Sequence, residues 1–124
     1  MLLTLLAVAA GGLLGAPTRY RVDRLVSDRV ETAFPLGTFL VNLSGSFLLG
    51  LLTGFDLAGH LPGPLKALVA TGFCGAYTTF STWSFETVRL LEESEYLMAF
   101  LNAILSLLIG LVAAGAGIGL GLLR

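Results

Sequence analysis

The chain has 124 residues, of which 56% are hydrophobic and only 12% charged, with a mean hydropathy of +0.90 and a net charge of −1. A soluble domain of this length is about a quarter charged, so too few charges remain to coat a water-facing surface, and a bilayer is the expected solvent. The near-zero charge excludes a nucleic-acid partner, which needs a basic face, and the lone Cys74 and lone His60 exclude an intrachain disulfide and a Cys/His metal cluster.

The first segment, MLLTLLAVAAGGLLGAPTRYR, superficially resembles a secretory leader. It lacks a basic n-region and a clear cleavage site, which predicts a retained membrane helix over residues 2–19. The next, RYRVDRLVSDRVETAFP, reads as a charged loop with an amphipathic piece near Val22 to Val30. GTFLVNLSGSFLLGLLTGF carries no charge and predicts a second span over residues 37–55. DLAGHLPGPLK is a proline–glycine turn whose Pro62 or Pro64 can open the third helix. The third uncharged stretch, residues 67–85, lies between Lys66 and Glu86, and the acidic ETVRLLEESEY continues that helix before turning. Residues 96–123 form a fourth span, longer than the roughly 20 residues that cross the hydrocarbon core, so it tilts or protrudes. The expectation is an all-α membrane protein with a single four-helix domain over residues 1–124.

With four spans, both termini lie on one side. The first and third connections hold Arg19, Arg21, Arg24, Arg29 and Arg89, against Lys66 and Arg124 opposite, a bias that points those connections to the cytoplasm. Discounting Arg19 as a helix-end residue and counting the terminal amine nearly removes it, so orientation is weakly specified. Among the 16 glycines, Gly11 and Gly15 stand four apart, as do Gly115 and Gly119, and Gly12 and Ala16 share that spacing. Lipid tails offer no hydrophobic drive for helix association, so small residues supply close approach, either within the chain or against a second copy.

No acid or base lies inside the four uncharged cores. That argues against a proton-coupled transporter, which needs an ionisable group at membrane depth, and against an enzyme, which needs a nucleophile with its base. Passive permeation needs neither. The polar groups at depth are Thr38, Asn42, Ser44 and Ser46 on the second helix, Asn102 and Ser106 on the fourth, and a hydroxyl run on the third. Thr38 and Asn42, like Asn102 and Ser106, are spaced to share a helix face. Singly, such groups are interhelical glue worth about 1 kcal/mol. As stripes facing a polar third helix, they make a neutral path on which a small ion exchanges its water piecemeal.

The stretch GFCGAYTTFSTWSFE concentrates this chemistry: six of the eight residues from Tyr77 to Ser84 carry hydroxyls, behind Gly72 and Gly75. Such a run is a poor helix former, and it predicts a break between Gly75 and Thr79 at which glycine supplies the unusual backbone. Freed carbonyls there can bind a cation and freed amides can face an anion. An ordinary kinked helix is the alternative.

At these residues the chain resembles the Fluc (CrcB) family of fluoride channels, through GGLLGAPTRY, GTFLVNLSGSFLLG and GFCGAYTTFSTWSFE, which anchor three of the four helices. The resemblance implies a multi-pass protein of the bacterial inner membrane whose third helix breaks mid-membrane. Two identical chains would insert in opposite orientations as a dual-topology, antiparallel homodimer with two narrow pores. It further implies passive export of cytoplasmic fluoride, conferring fluoride resistance, with no enzymatic activity. A structural Na+ on the two-fold axis would be held by the backbone carbonyls of Gly75 and Thr78. The pore phenylalanines fall on Phe80 and on Trp83, where tryptophan replaces the usual phenylalanine and adds bulk and an N–H donor. Asn42 matches the pore asparagine, Ser81 and Thr82 the hydroxyl pair beside the aromatics, and Arg19 the arginine ending the first helix. Thr38, Asn102 and Ser106 approximate the polar track, the fourth-helix match being looser. Two rivals compete with this reading. A small dual-topology multidrug exporter would need an intramembrane glutamate that LLTLLAVAAGGLLGA lacks; the other rival is a structural subunit of a larger membrane complex, with no transport role.

Overall fold

The computed structural model describes all 124 residues and is entirely helical. Helix α1 is Leu2–Ser27 and α2 is Leu36–Leu57; the third helical unit is divided into α3, residues 63–77, and α4, Phe80–Glu92; α5 is Tyr96–Leu122. Three of these, α1, α2 and α5, are long and apolar enough to cross a membrane; the divided unit is the remaining helical segment.

Helix α1 runs past its expected end at residue 19 and absorbs most of the segment read as a loop. The charged turn is compatible with helix because its side chains pair at four-residue spacing: Arg24 donates to the Tyr20 hydroxyl at 3.1 Å and lies 3.6 Å from the Asp28 carboxylate. Helix α3 begins with Pro64 in its first turn, where a missing N–H costs nothing. Lys66 pairs with Asp56 across the α2–α3 turn. Helix α4 carries the third unit on to Glu92, as the acidic continuation predicts, and the chain then reverses at Ser94, whose φ is +61°.

The helices pack as two close pairs, α2 with α5 and α1 with the first half of the third unit. Glycine makes both possible. A side chain at Gly50 would meet the Ala114 main chain, and one at Gly117 would meet the main chain of Phe47. In the other pair, Gly11 approaches the main chain of Leu68 and Phe73, and Gly72 that of Val8. Gly11 and Gly15 are therefore spent on packing within the chain. Gly115 and Gly119 face outward, with nothing within 4 Å of where a Cβ would stand.

The break falls at Thr78 (φ −77°, ψ 155°) and Thr79 (φ −145°, ψ 119°), both extended. Gly75 does not supply it: its backbone is ordinary right-handed helix (φ −62°, ψ −34°). The expectation of a glycine-only conformation there is corrected. Extended backbone is open to any residue and favoured by β-branched ones, so the two threonines make the break themselves.

Candidate functional site

An interrupted helix at membrane depth leaves peptide groups that water cannot satisfy, so each must find a protein partner. Asn42 on α2 supplies two. Its Nδ2 donates to the Thr79 carbonyl at 2.9 Å, and its Oδ1 accepts from the Thr79 N–H at 2.8 Å. Thr79 in turn caps α4, its hydroxyl accepting from the Thr82 N–H at 3.2 Å and donating to the Thr82 hydroxyl at 3.0 Å. On the preceding turn, Thr78 Oγ1 donates to the Cys74 carbonyl at 2.8 Å, and the Tyr77 and Ser44 hydroxyls meet at 2.8 Å.

These bonds release two carbonyls. The Thr79 N–H, which an unbroken helix would give to Gly75, goes to Asn42, and the Thr82 N–H, which it would give to Thr78, goes to the Thr79 hydroxyl. The two freed carbonyl oxygens, three residues apart in sequence, are of the kind a hard cation takes. Arg19 already offers positive charge to one of them, its guanidinium donating to the Thr78 carbonyl at 3.4 Å.

Two cavities meet at the break, with Thr79 in the wall of both. The larger, about 220 Å³, is bounded by Asn42, Ser46, Phe80, Trp83 and Ser106 together with apolar residues, and no ionisable group lines it. The Phe80 and Trp83 rings stand 5.1 Å apart, tilted at 45°, over the N-terminal end of α4. That end carries the positive pole of the helix dipole. The smaller cavity, about 200 Å³, is bounded by Arg19, Asp23, Thr38 and Thr82.

The residues expected to form one path thus divide. Asn42, Phe80, Trp83 and Ser106 line the first cavity; Arg19, Thr38 and Thr82 line the second. Ser81 lines neither; it is exposed, with its hydroxyl 3.3 Å from that of Thr79. Asn102 is fully buried behind Trp83 and off the cavity wall. The indole N–H of Trp83 is directed to the Asn102 carbonyl at 2.7 Å, so the ring's one donor is spent on the protein.

Thr79, which the sequence marks as the far end of the break, is its hub. Two further participants were not singled out from the sequence. Thr87 extends the network behind Trp83. Glu86, read only as the boundary of an uncharged span, receives a hydrogen bond from Thr38 at 3.2 Å, and its second carboxylate oxygen is buried without a partner. It brings an ionisable group to the edge of the polar path. The i to i+4 pairing of Thr38 with Asn42 pointed toward this face, but only the folding of α4 onto α2 brings Glu86 to it.

Comparison with known proteins fits this geometry. Residues 6–118 match the family described as CrcB-like protein, Camphor Resistance (CrcB). The chain is 50% identical over 113 residues to "Fluoride-specific ion channel FluC 1" of Streptomyces avermitilis, covering 91% of each chain. It is 45% identical over 119 residues to the protein of the same name from Leifsonia xyli subsp. xyli, covering 96% of this chain and 87% of the relative. Against "Fluoride-specific ion channel FluC" of Geotalea daltonii it is 45% identical over 116 residues, covering 93% and 94%. With its apolar helices this makes it a multi-pass membrane protein. The match runs through every helix and both sides of the break, and the chain belongs to the CrcB-like protein family.

Proposed function

We propose that the protein is a fluoride-selective ion channel that lets cytoplasmic fluoride leave by passive electrodiffusion and so confers fluoride resistance. The observation that carries the reading is the uncharged cavity at the break, where paired aromatic rings, neutral amide and hydroxyl groups and the N-terminal pole of α4 converge. The positive edge of an aromatic ring suits a dehydrated anion, and a neutral lining lets it bind without being trapped. The names of the relatives favour the same ion. Fluoride that enters as neutral HF is held inside as the anion, and a negative membrane potential favours its exit.

The channel acts as an antiparallel homodimer in the inner membrane, in keeping with the weak charge bias. Phe80 is 76% exposed on a single chain, which suits a ring that completes its pore against a second copy. A structural Na+ would be held by the Gly75 and Thr78 carbonyls of both chains, its charge joining the two breaks.

Purified protein in liposomes, followed with a fluoride electrode, tests the channel. Fluoride efflux without chloride or drug movement is expected. Drug movement would support an exporter, although α1 offers no acid over residues 2–16. No movement at all would support a structural subunit. Tags at either terminus are expected to label both sides of the membrane, and strictly one-sided labelling would overturn the antiparallel dimer.

A further inference from the structure

Asn102 lies in a five-residue π-helical stretch, Leu101–Leu105, of α5. The wider turn has a local consequence. The Ser106 N–H, which in an α-helix would bond the Asn102 carbonyl, reaches back to Leu101 instead. The Asn102 carbonyl is left for the Trp83 indole, which donates to it at 2.7 Å. The Asn102 side chain returns the contact: its Nδ2 donates to the Thr87 hydroxyl at 2.8 Å and to the Trp83 carbonyl at 3.3 Å, and its Oδ1 faces the Ser106 hydroxyl at 3.5 Å. Thr87 also donates to the Trp83 carbonyl, at 2.8 Å. Trp83 is therefore held at both its ring and its main chain by one residue that no solvent or cavity reaches.

We infer that Asn102 is a positioning residue: through its released carbonyl and its buried amide it fixes the plane of the Trp83 indole on the cavity wall, and it does not itself meet the anion. The inference rests on the channel reading and gives it a selectivity device. A phenylalanine at position 83 would have no N–H to anchor and would turn about its own axis. An anchored indole presents one fixed edge of the wall beside Phe80, 5.1 Å away. A fixed edge admits a small dehydrated anion and resists larger ones, because widening the passage means breaking buried hydrogen bonds.

Trp83 is the only tryptophan, so intrinsic fluorescence reports on it alone. The experiment compares fluoride and chloride efflux from liposomes for the parent protein, Asn102→Ala, Trp83→Phe and the double variant, with tryptophan emission and acrylamide quenching read in the two that keep Trp83. Asn102→Ala keeps the main-chain carbonyl that takes the indole N–H but deletes the amide that ties the residue to Thr87 and the Trp83 main chain. It is expected to lower fluoride flux about fivefold or more, the factor that loss of a typical hydrogen bond carries. Its emission maximum should shift and its quenching rise, while the chloride-to-fluoride flux ratio increases. Added to Trp83→Phe, the same change should cost less than about twofold further, since the group it acts through is gone. Parental flux in Asn102→Ala, with or without a spectral shift, overturns the inference, as does an equal loss in both backgrounds. If Asn102→Ala fails to fold, Asn102→Leu, which keeps the volume and removes the amide, serves in its place with the same expectations. A parent protein that moves no fluoride defeats the channel reading instead, while the quenching comparison still tests the clasp.

Discussion

At Asn42 one side-chain amide clasps both peptide groups of Thr79, its Oδ1 replacing the Gly75 carbonyl that the break takes from the N–H and its Nδ2 adding a donor to the carbonyl. Its second N–H is uncommitted by that clasp and borders the larger cavity. Asn42→Asp keeps the acceptor for the Thr79 N–H but sets a carboxylate against the Thr79 carbonyl and places a fixed negative charge on the anion's route. Fluoride flux should fall by at least about tenfold, since the carboxylate repels both the anion and the Thr79 carbonyl in a low-dielectric site. Asn42→Ala removes the clasp without adding charge, and an efflux assay on both separates the two effects. Equal losses would assign the role of Asn42 to holding the break alone.

On the scale of one element, the third helical unit shows how a helix is stopped and restarted at membrane depth. The break itself does not depend on glycine. Extended Thr78 and Thr79 interrupt the ladder, α2 supplies the missing partners, and the Thr79 hydroxyl restarts it as the N-cap of α4. Thr79→Val tests this cleanly, because valine accepts φ −145° and ψ 119° without strain and only the hydroxyl is lost. An N-cap deletion costs about 1 kcal/mol, so thermal unfolding in detergent should fall by roughly 2–6 °C. Fluoride flux should fall as well, because the cap aims the end of α4 at the cavity. An unchanged melting temperature would show that α4 starts without it.

Across the whole molecule the small residues sort into two classes. Gly11, Gly50, Gly72 and Gly117 sit where backbones touch and hold the two helix pairs together. Gly75, Gly115 and Gly119 have open space where a side chain would project. Gly75→Val therefore has no steric reason to disturb the single chain. In the proposed dimer, however, the substitution falls beside the shared axis, so the expected result is normal insertion with a weakened dimer and reduced flux. Cross-linking and size-exclusion chromatography read the dimer directly; a fully dimeric, fully conducting variant would move Gly75 away from the axis.

Composition, the uncharged stretches and their lengths mark the apolar spans α1, α2 and α5, because hydropathy acts residue by residue along the chain. The hydroxyl run likewise marks where the third segment fails as a helix, since local hydrogen-bond competition is written in residue type. The end of α1 was less legible: an Arg- and Asp-rich turn reads equally as loop or as helix until Tyr20, Arg24 and Asp28 are seen to pair at helical spacing. The division of the polar residues was not legible at all. Thr38 reaching Glu86, Asn42 clasping Thr79, and Asn102 standing behind Trp83 join residues 48, 37 and 19 positions apart. Periodicity assigns each of them to a helix face, but which faces meet is decided by the close approach of the helix pairs and by the turn of the chain at the break.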